Sequence, residues 1–84
     1  MIILNNERNA YHRIRALRED HDLTQKQIAK ILNMSQTGYS KYETGENVVP
    51  TSILIELWKF YNTSVDYILG LTDEEAPYER KIKL

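Results

Sequence analysis

Five polar side chains, Gln36, Thr37, Ser40, Lys41 and Thr44, recur at offsets i, i+1, i+4, i+5 and i+8. On a helix those offsets share one side. None is acidic, and none is large and apolar. Gln, Thr, Ser and Lys side chains hydrogen-bond base edges and phosphates, so the stripe suits a nucleic-acid surface. Gln25 begins an earlier helical stretch, where free backbone N–H groups and the positive end of the helix dipole favour anions. Gly38 lies near the stripe and costs a helix about 0.5–1 kcal/mol relative to Ala. Close approach of another backbone, protein or DNA, would account for it.

These side chains need two short helices to position them. In QKQIAKILNMSQTGYSKYET, residues 25–44, Ile28 and Leu32 are four apart and share one face of a first helix. Tyr39 and Tyr42 are three apart and turn inward on a second. Ala29 is small enough to let the helices approach. Between them, Asn33 tolerates the left-handed conformation of a tight helix end. Met34 is an apolar plug, and Thr24 and Ser35 are N-caps. A helix, a turn of about three to four residues and a helix make the helix-turn-helix pattern.

Residues 13–71 resemble a Cro/cI-type (XRE-like) helix-turn-helix domain. The resemblance is carried by Leu23-Thr24-Gln25, Ile28-Ala29, Leu32 to Gln36, Tyr39-Ser40, Tyr42-Glu43 with Gly45, and Ser64 to Gly70. Asn33 departs from the glycine more usual in the family, and Trp58 from a small residue. The resemblance implies an all-α, five-helix lambda-repressor-like fold with helices 2 and 3 as the motif, and double-stranded DNA as the partner. It also implies a pair between Arg18 and Glu43; the planar arginine fork suits a bidentate carboxylate. It assigns Gln25 to a phosphate.

The expected base readers are Gln36, Thr37, Ser40 and Lys41. The expected phosphate contacts are Gln25, Lys26, Thr44 and Asn47, with Lys30 able to extend the track. The net charge of −1 argues superficially against nucleic acid. Its distribution does not. Arg8 to Tyr42 holds seven basic and three acidic residues, whereas Glu43 to Leu84 holds four basic and eight acidic ones. The basic half coincides with the motif.

Other classes find little support. Eighty-four residues make one domain with a modest core. There is no cysteine, so no disulfide framework and no thiolate metal site. His12 and His21 lack clustered carboxylates, so neither a metal nor a cofactor is expected. Thr24, Ser35 and Ser64 read as caps rather than nucleophiles, and no glycine-rich phosphate loop appears; the chain is not expected to be an enzyme. Met1 to Leu4 is too short for a signal peptide or a membrane span, and the lack of cysteine suits a reducing cytosol, so a cytoplasmic protein is expected.

A first helix is expected from about Glu7 to Asp20. A fourth follows Pro50, capped by Thr51 or Ser52 and ending near Tyr61. Its core face is Leu54, Leu57, Trp58 and Tyr61, with Ile55 or Phe60 left partly exposed. A fifth runs from Val65 to Leu69 behind Ser64, closed by Gly70. The DNA-binding domain is expected over 1–72. Residues 73–84 form a tail, disordered or a short strand that pairs with Met1–Leu4. Phe60, Tyr67 and Leu71 are the expected homodimer surface, because one recognition helix reads too few base pairs for a genome-scale site. The expected function is a sequence-specific transcriptional regulator, a repressor on a palindromic operator. The alternative is a protein-interaction module, such as the antitoxin of a toxin–antitoxin pair, with or without DNA binding.

Overall fold

The computed structural model describes residues 12–77. Helix α1 covers 12–20, followed by α2 (Gln25–Ile31), α3 (Gln36–Thr44), α4 (Thr51–Tyr61) and α5 (Val65–Ile68). No strand occurs among the described residues, so the class is all-α. The expected start of α1 near Glu7 and the strand pairing of the two chain ends lie outside them.

Short polar side chains open three of these helices. Thr24 accepts from the Gln27 N–H at 3.1 Å, and its own N–H donates to Gln27 Oε1 at 2.8 Å, a reciprocal capping box. Ser35 accepts from the Gly38 N–H, and Ser64 from the Tyr67 N–H, each at 3.0 Å. Helix α4 differs from expectation. It starts at Thr51, and its N-cap is Pro50, with no side-chain cap bond. Pro50 is extended (φ −66°, ψ 156°), and its carbonyl accepts from the Ile53 and Leu54 N–H groups. Proline's ring sets that φ beforehand, so Thr51 and Ser52 fall inside the first turn.

One device closes four helices. After α1, α2, α4 and α5 the chain turns left-handed at Asp22 (φ 56°), Asn33 (φ 57°), Asn62 (φ 53°) and Gly70 (φ 77°). In each case the next N–H reaches back five residues: Leu23 to Arg18, Met34 to Ala29, Thr63 to Trp58 and Leu71 to Asp66. This is the Schellman arrangement, and it satisfies carbonyls that the helix leaves open. Asp and Asn reach the left-handed region more easily than other non-glycine residues.

The core joins all five helices. Ile14 and Leu17 of α1, Ile28 and Ala29 of α2, Tyr39 and Tyr42 of α3, Leu57 and Tyr61 of α4 and Ile68 of α5 are buried together, with Leu32 and Val49 from the connections. Leu54 and Trp58 are partly buried against this cluster, as is Ile53. Phe60 remains 41% exposed and Ile55 half-buried. Burial pushes the Tyr61 hydroxyl up to about 12. That hydroxyl has no hydrogen-bond partner among the described residues.

Candidate nucleic-acid interface

The tyrosines set the orientation of α3. Tyr39 is wholly buried and Tyr42 nearly so, their rings packed edge to face at 6.4 Å. Gln36, Thr37 and Thr44 are therefore exposed, and Ser40 and Lys41 half-buried. Neither α2 nor α3 carries an acidic residue in its first turn. The stripe read from the sequence thus lies along one outer side of a single helix.

Gly38 has a local explanation. A Cβ there would lie 3.0 Å from Ser35 Oγ and 3.3 Å from Met34 Cε. The close neighbours are the cap of its own helix and the turn's apolar plug, a constraint local to the motif.

The expected phosphate residues are spread over two elements and a loop. Lys26 is exposed on α2, and with Lys30, Ala29, Asn33, Met34 and Gln36 it lines an open groove of about 420 Å³. Asn47 is exposed in the loop after α3. Thr44 is exposed, yet its hydroxyl already donates to the Lys41 carbonyl at 3.3 Å and accepts from the Glu46 N–H at 3.4 Å.

Behind the stripe, the C-terminal turn of α3 is fastened by Glu43. Arg18 approaches it as a fork, Nε to Oε2 at 2.6 Å and Nη2 to Oε1 at 3.1 Å. Gln25 Nε2 donates to Oε1 at 3.0 Å, and the Tyr39 hydroxyl donates to Oε2 at 2.5 Å. The Glu43 side chain is 4% exposed. Burial alone would raise its carboxyl pKa; the hydrogen bonds from Arg18, Tyr39 and Gln25 outweigh it and hold the group below its ordinary value. For Tyr39, burial and then the bond to Glu43 push the hydroxyl well above the usual tyrosine range. The links from Gln25 and Tyr39 to Glu43 are absent from the sequence reading. The i, i+4 spacing of Tyr39 and Glu43 is the one local signal that points to either.

The residues expected at a dimer surface divide. Phe60 and Leu71 are 41% and 56% exposed. Tyr67 is half-buried, with the Arg13 guanidinium 4.1 Å from its ring centre. Arg13 also donates to the carbonyls of Tyr67 (2.9 Å) and Thr72 (2.7 Å) and to Asp73 Oδ1 (2.9 Å). Thr63 Oγ1 donates to the Glu75 carbonyl at 2.6 Å. Residues 72–75 are thus tied to α1 and to the α4–α5 turn, and Arg13, which the sequence reading gave no role, does most of the tying.

Among the described residues no group of three His, Cys, Asp or Glu is placed to hold a metal ion. No helix among them is long and apolar enough to cross a membrane.

The helix-turn-helix family profile matches residues 14–68. The chain is 43% identical over 70 residues to an uncharacterized HTH-type transcriptional regulator, YobD, of Bacillus subtilis, covering 82% of this chain and 62% of that protein. It is 37% identical over 79 residues to the HTH-type transcriptional repressor RghR of the same organism, covering 84% of this chain and 58% of the repressor. It is 32% identical over 74 residues to the antitoxin PezA of Streptococcus pneumoniae, covering 84% of this chain and 47% of the antitoxin. The chain therefore spans about half to three-fifths of the length of these relatives. No solved structure matches it significantly. A motif built by α2 and α3, a family match across most of the described residues and regulators among the relatives together place this chain in the Cro/cI-type (XRE-like) helix-turn-helix family.

Proposed function

We propose that this chain binds double-stranded DNA sequence-specifically and acts as a transcriptional regulator, a repressor, in the cytoplasm. One observation carries the reading: an acid-free row of Gln36, Thr37, Ser40, Lys41 and Thr44 stands outward on α3 while Tyr39 and Tyr42 anchor the same helix in the core. In the major groove, Gln36 is the leading base reader, since a glutamine amide pairs with adenine through two hydrogen bonds. Thr37, Ser40 and Lys41 follow along the groove. Gln25, Lys26 and Asn47 hold phosphates on either side. Thr44 also takes a phosphate, at the expense of its local bond to the Lys41 carbonyl.

A palindromic site read by a homodimer fits the small footprint of one helix, with half-sites about 34–36 Å apart. The exposed Phe60 and Leu71, with the edge of Tyr67, are the proposed dimer surface. A second reading has one specific support, the likeness to an antitoxin. On it, the same apolar surface receives a protein partner, with or without DNA.

Selection of bound sequences from a random duplex library tests the proposal. Enrichment of a two-fold symmetric motif is the expected result. Recovery of unenriched sequences, with no duplex bound more tightly than the library average, would overturn it.

A further inference from the structure

Four donors converge on the Glu43 carboxylate, two from Arg18 and one each from Gln25 and Tyr39. An ionised carboxylate has about four acceptor positions, so its capacity is filled. The donors come from α1, α2 and α3. Arg18 is itself held, its Nη1 donating to the Leu23 carbonyl at 2.9 Å. The acceptor is thus fixed from several sides before any ligand arrives.

Gln25, half-buried at the start of α2, is the one member of this group proposed above to hold a phosphate. Its amide is asymmetric, with two hydrogens on nitrogen and lone pairs on oxygen. A carboxylate only accepts, so the nitrogen must turn toward Glu43. That selects one of the two amide orientations and leaves a second N–H for another acceptor. Without Glu43, the side chain would be a free glutamine with several rotamers and both amide faces available.

We propose that Glu43 is a positioning residue for DNA binding. It presets the Gln25 amide so that its remaining N–H meets a phosphate, while Arg18 and the Tyr39 hydroxyl keep the carboxylate in place. The proposal rests on the DNA-binding reading above and adds a role for the core side of the motif. It links the phosphate grip of α2 to the C-terminal turn of α3 through one carboxylate. Immobilising a side chain on binding has an entropic cost, and prior fixation removes it.

Single methylphosphonate substitutions along a selected duplex test this, because each removes one phosphate charge. Wild type, Gln25→Ala, Glu43→Gln and the double variant are compared, with circular dichroism confirming that each is folded. Wild type is expected to lose affinity at the phosphate facing Gln25. That position is expected to fall silent in Gln25→Ala and to lose much of its effect in Glu43→Gln. Glu43→Gln is expected to weaken binding about 3- to 10-fold, from the usual cost of ordering one side chain. In the Gln25→Ala background it should add nothing, although its effect on melting temperature persists. If Glu43→Gln does not fold, Tyr39→Phe takes its place, since it keeps the ring and removes only the hydroxyl. A variant that keeps the wild-type sensitive position, or affinity losses that simply add, would overturn the positioning role and leave DNA binding standing. Wild type that binds no duplex would overturn both.

Discussion

The Arg18 guanidinium meets the Glu43 carboxylate through two hydrogen bonds, of 2.6 and 3.1 Å, and so joins α1 to the last turn of α3. Both side chains are mostly buried, at 13% and 4% exposure. Removing one partner of such a pair strands the other's charge, which typically costs about 3–5 kcal/mol. Gln25 and Tyr39 still donate when Arg18 is gone, so Arg18→Ala should fall near the lower end, about 3 kcal/mol. Urea unfolding measures it. A loss under about 1 kcal/mol, the value of an exposed pair, would contradict the buried geometry.

The same carboxylate predicts a pH dependence. Its pKa is lowered in the folded chain, so its contribution is fully present above the unfolded value of about 4.3. That contribution is lost as pH falls through the lower folded value. Wild type should therefore lose its stability advantage over Glu43→Gln progressively below about pH 4.3. Unfolding curves from pH 7 to pH 2 check this. An advantage that stays constant down to pH 2 would contradict the assignment.

Arg13 should matter more than its ion pair suggests. Asp73 is fully exposed, so Asp73→Ala should leave stability unchanged. Arg13→Ala loses two carbonyl contacts and the stack on Tyr67, and should cost about 1–2 kcal/mol. It should also speed amide hydrogen exchange and proteolytic cleavage over residues 71–77. Equal protection of that segment in both variants would show that Arg13 does not hold it in place.

Much of the motif was legible because its signals are local. Thr24, Ser35 and Ser64 bond N–H groups three residues on, and Asn33 closes α2 by its own backbone preference. The register of Tyr39 and Tyr42 fixed which side of α3 faces outward. What was missed depends on the fold bringing distant positions together. Arg13 contacts carbonyls 54 and 59 residues away, and Gln25 finds Glu43 across 18 residues. The Arg18–Glu43 pair, 25 residues apart, was anticipated only through the family resemblance. The α4 cap was misplaced for a smaller reason: Pro50 itself, through its fixed φ and its carbonyl, opens that helix.

The buried Tyr61 hydroxyl offers a simple check of packing. It lacks a hydrogen-bond partner among the described residues, so Tyr61→Phe removes a desolvated polar atom and keeps the ring. Stability should hold or rise by up to about 1 kcal/mol. A loss of more than about 1 kcal/mol in thermal melts would show that the hydroxyl has a partner.

On the proposed function, the outer side of α3 reads base sequence. The most direct test is the affinity of Gln36→Ala for a duplex selected by wild type and for each single base-pair variant of it. A loss of about 1–3 kcal/mol is expected on the selected duplex, with a relaxed preference at one base pair and the melting temperature unchanged. Gln25→Ala should instead weaken binding to every duplex about equally, as expected of a phosphate contact. A Gln36→Ala protein that keeps wild-type affinity and full discrimination at every position would contradict the claim.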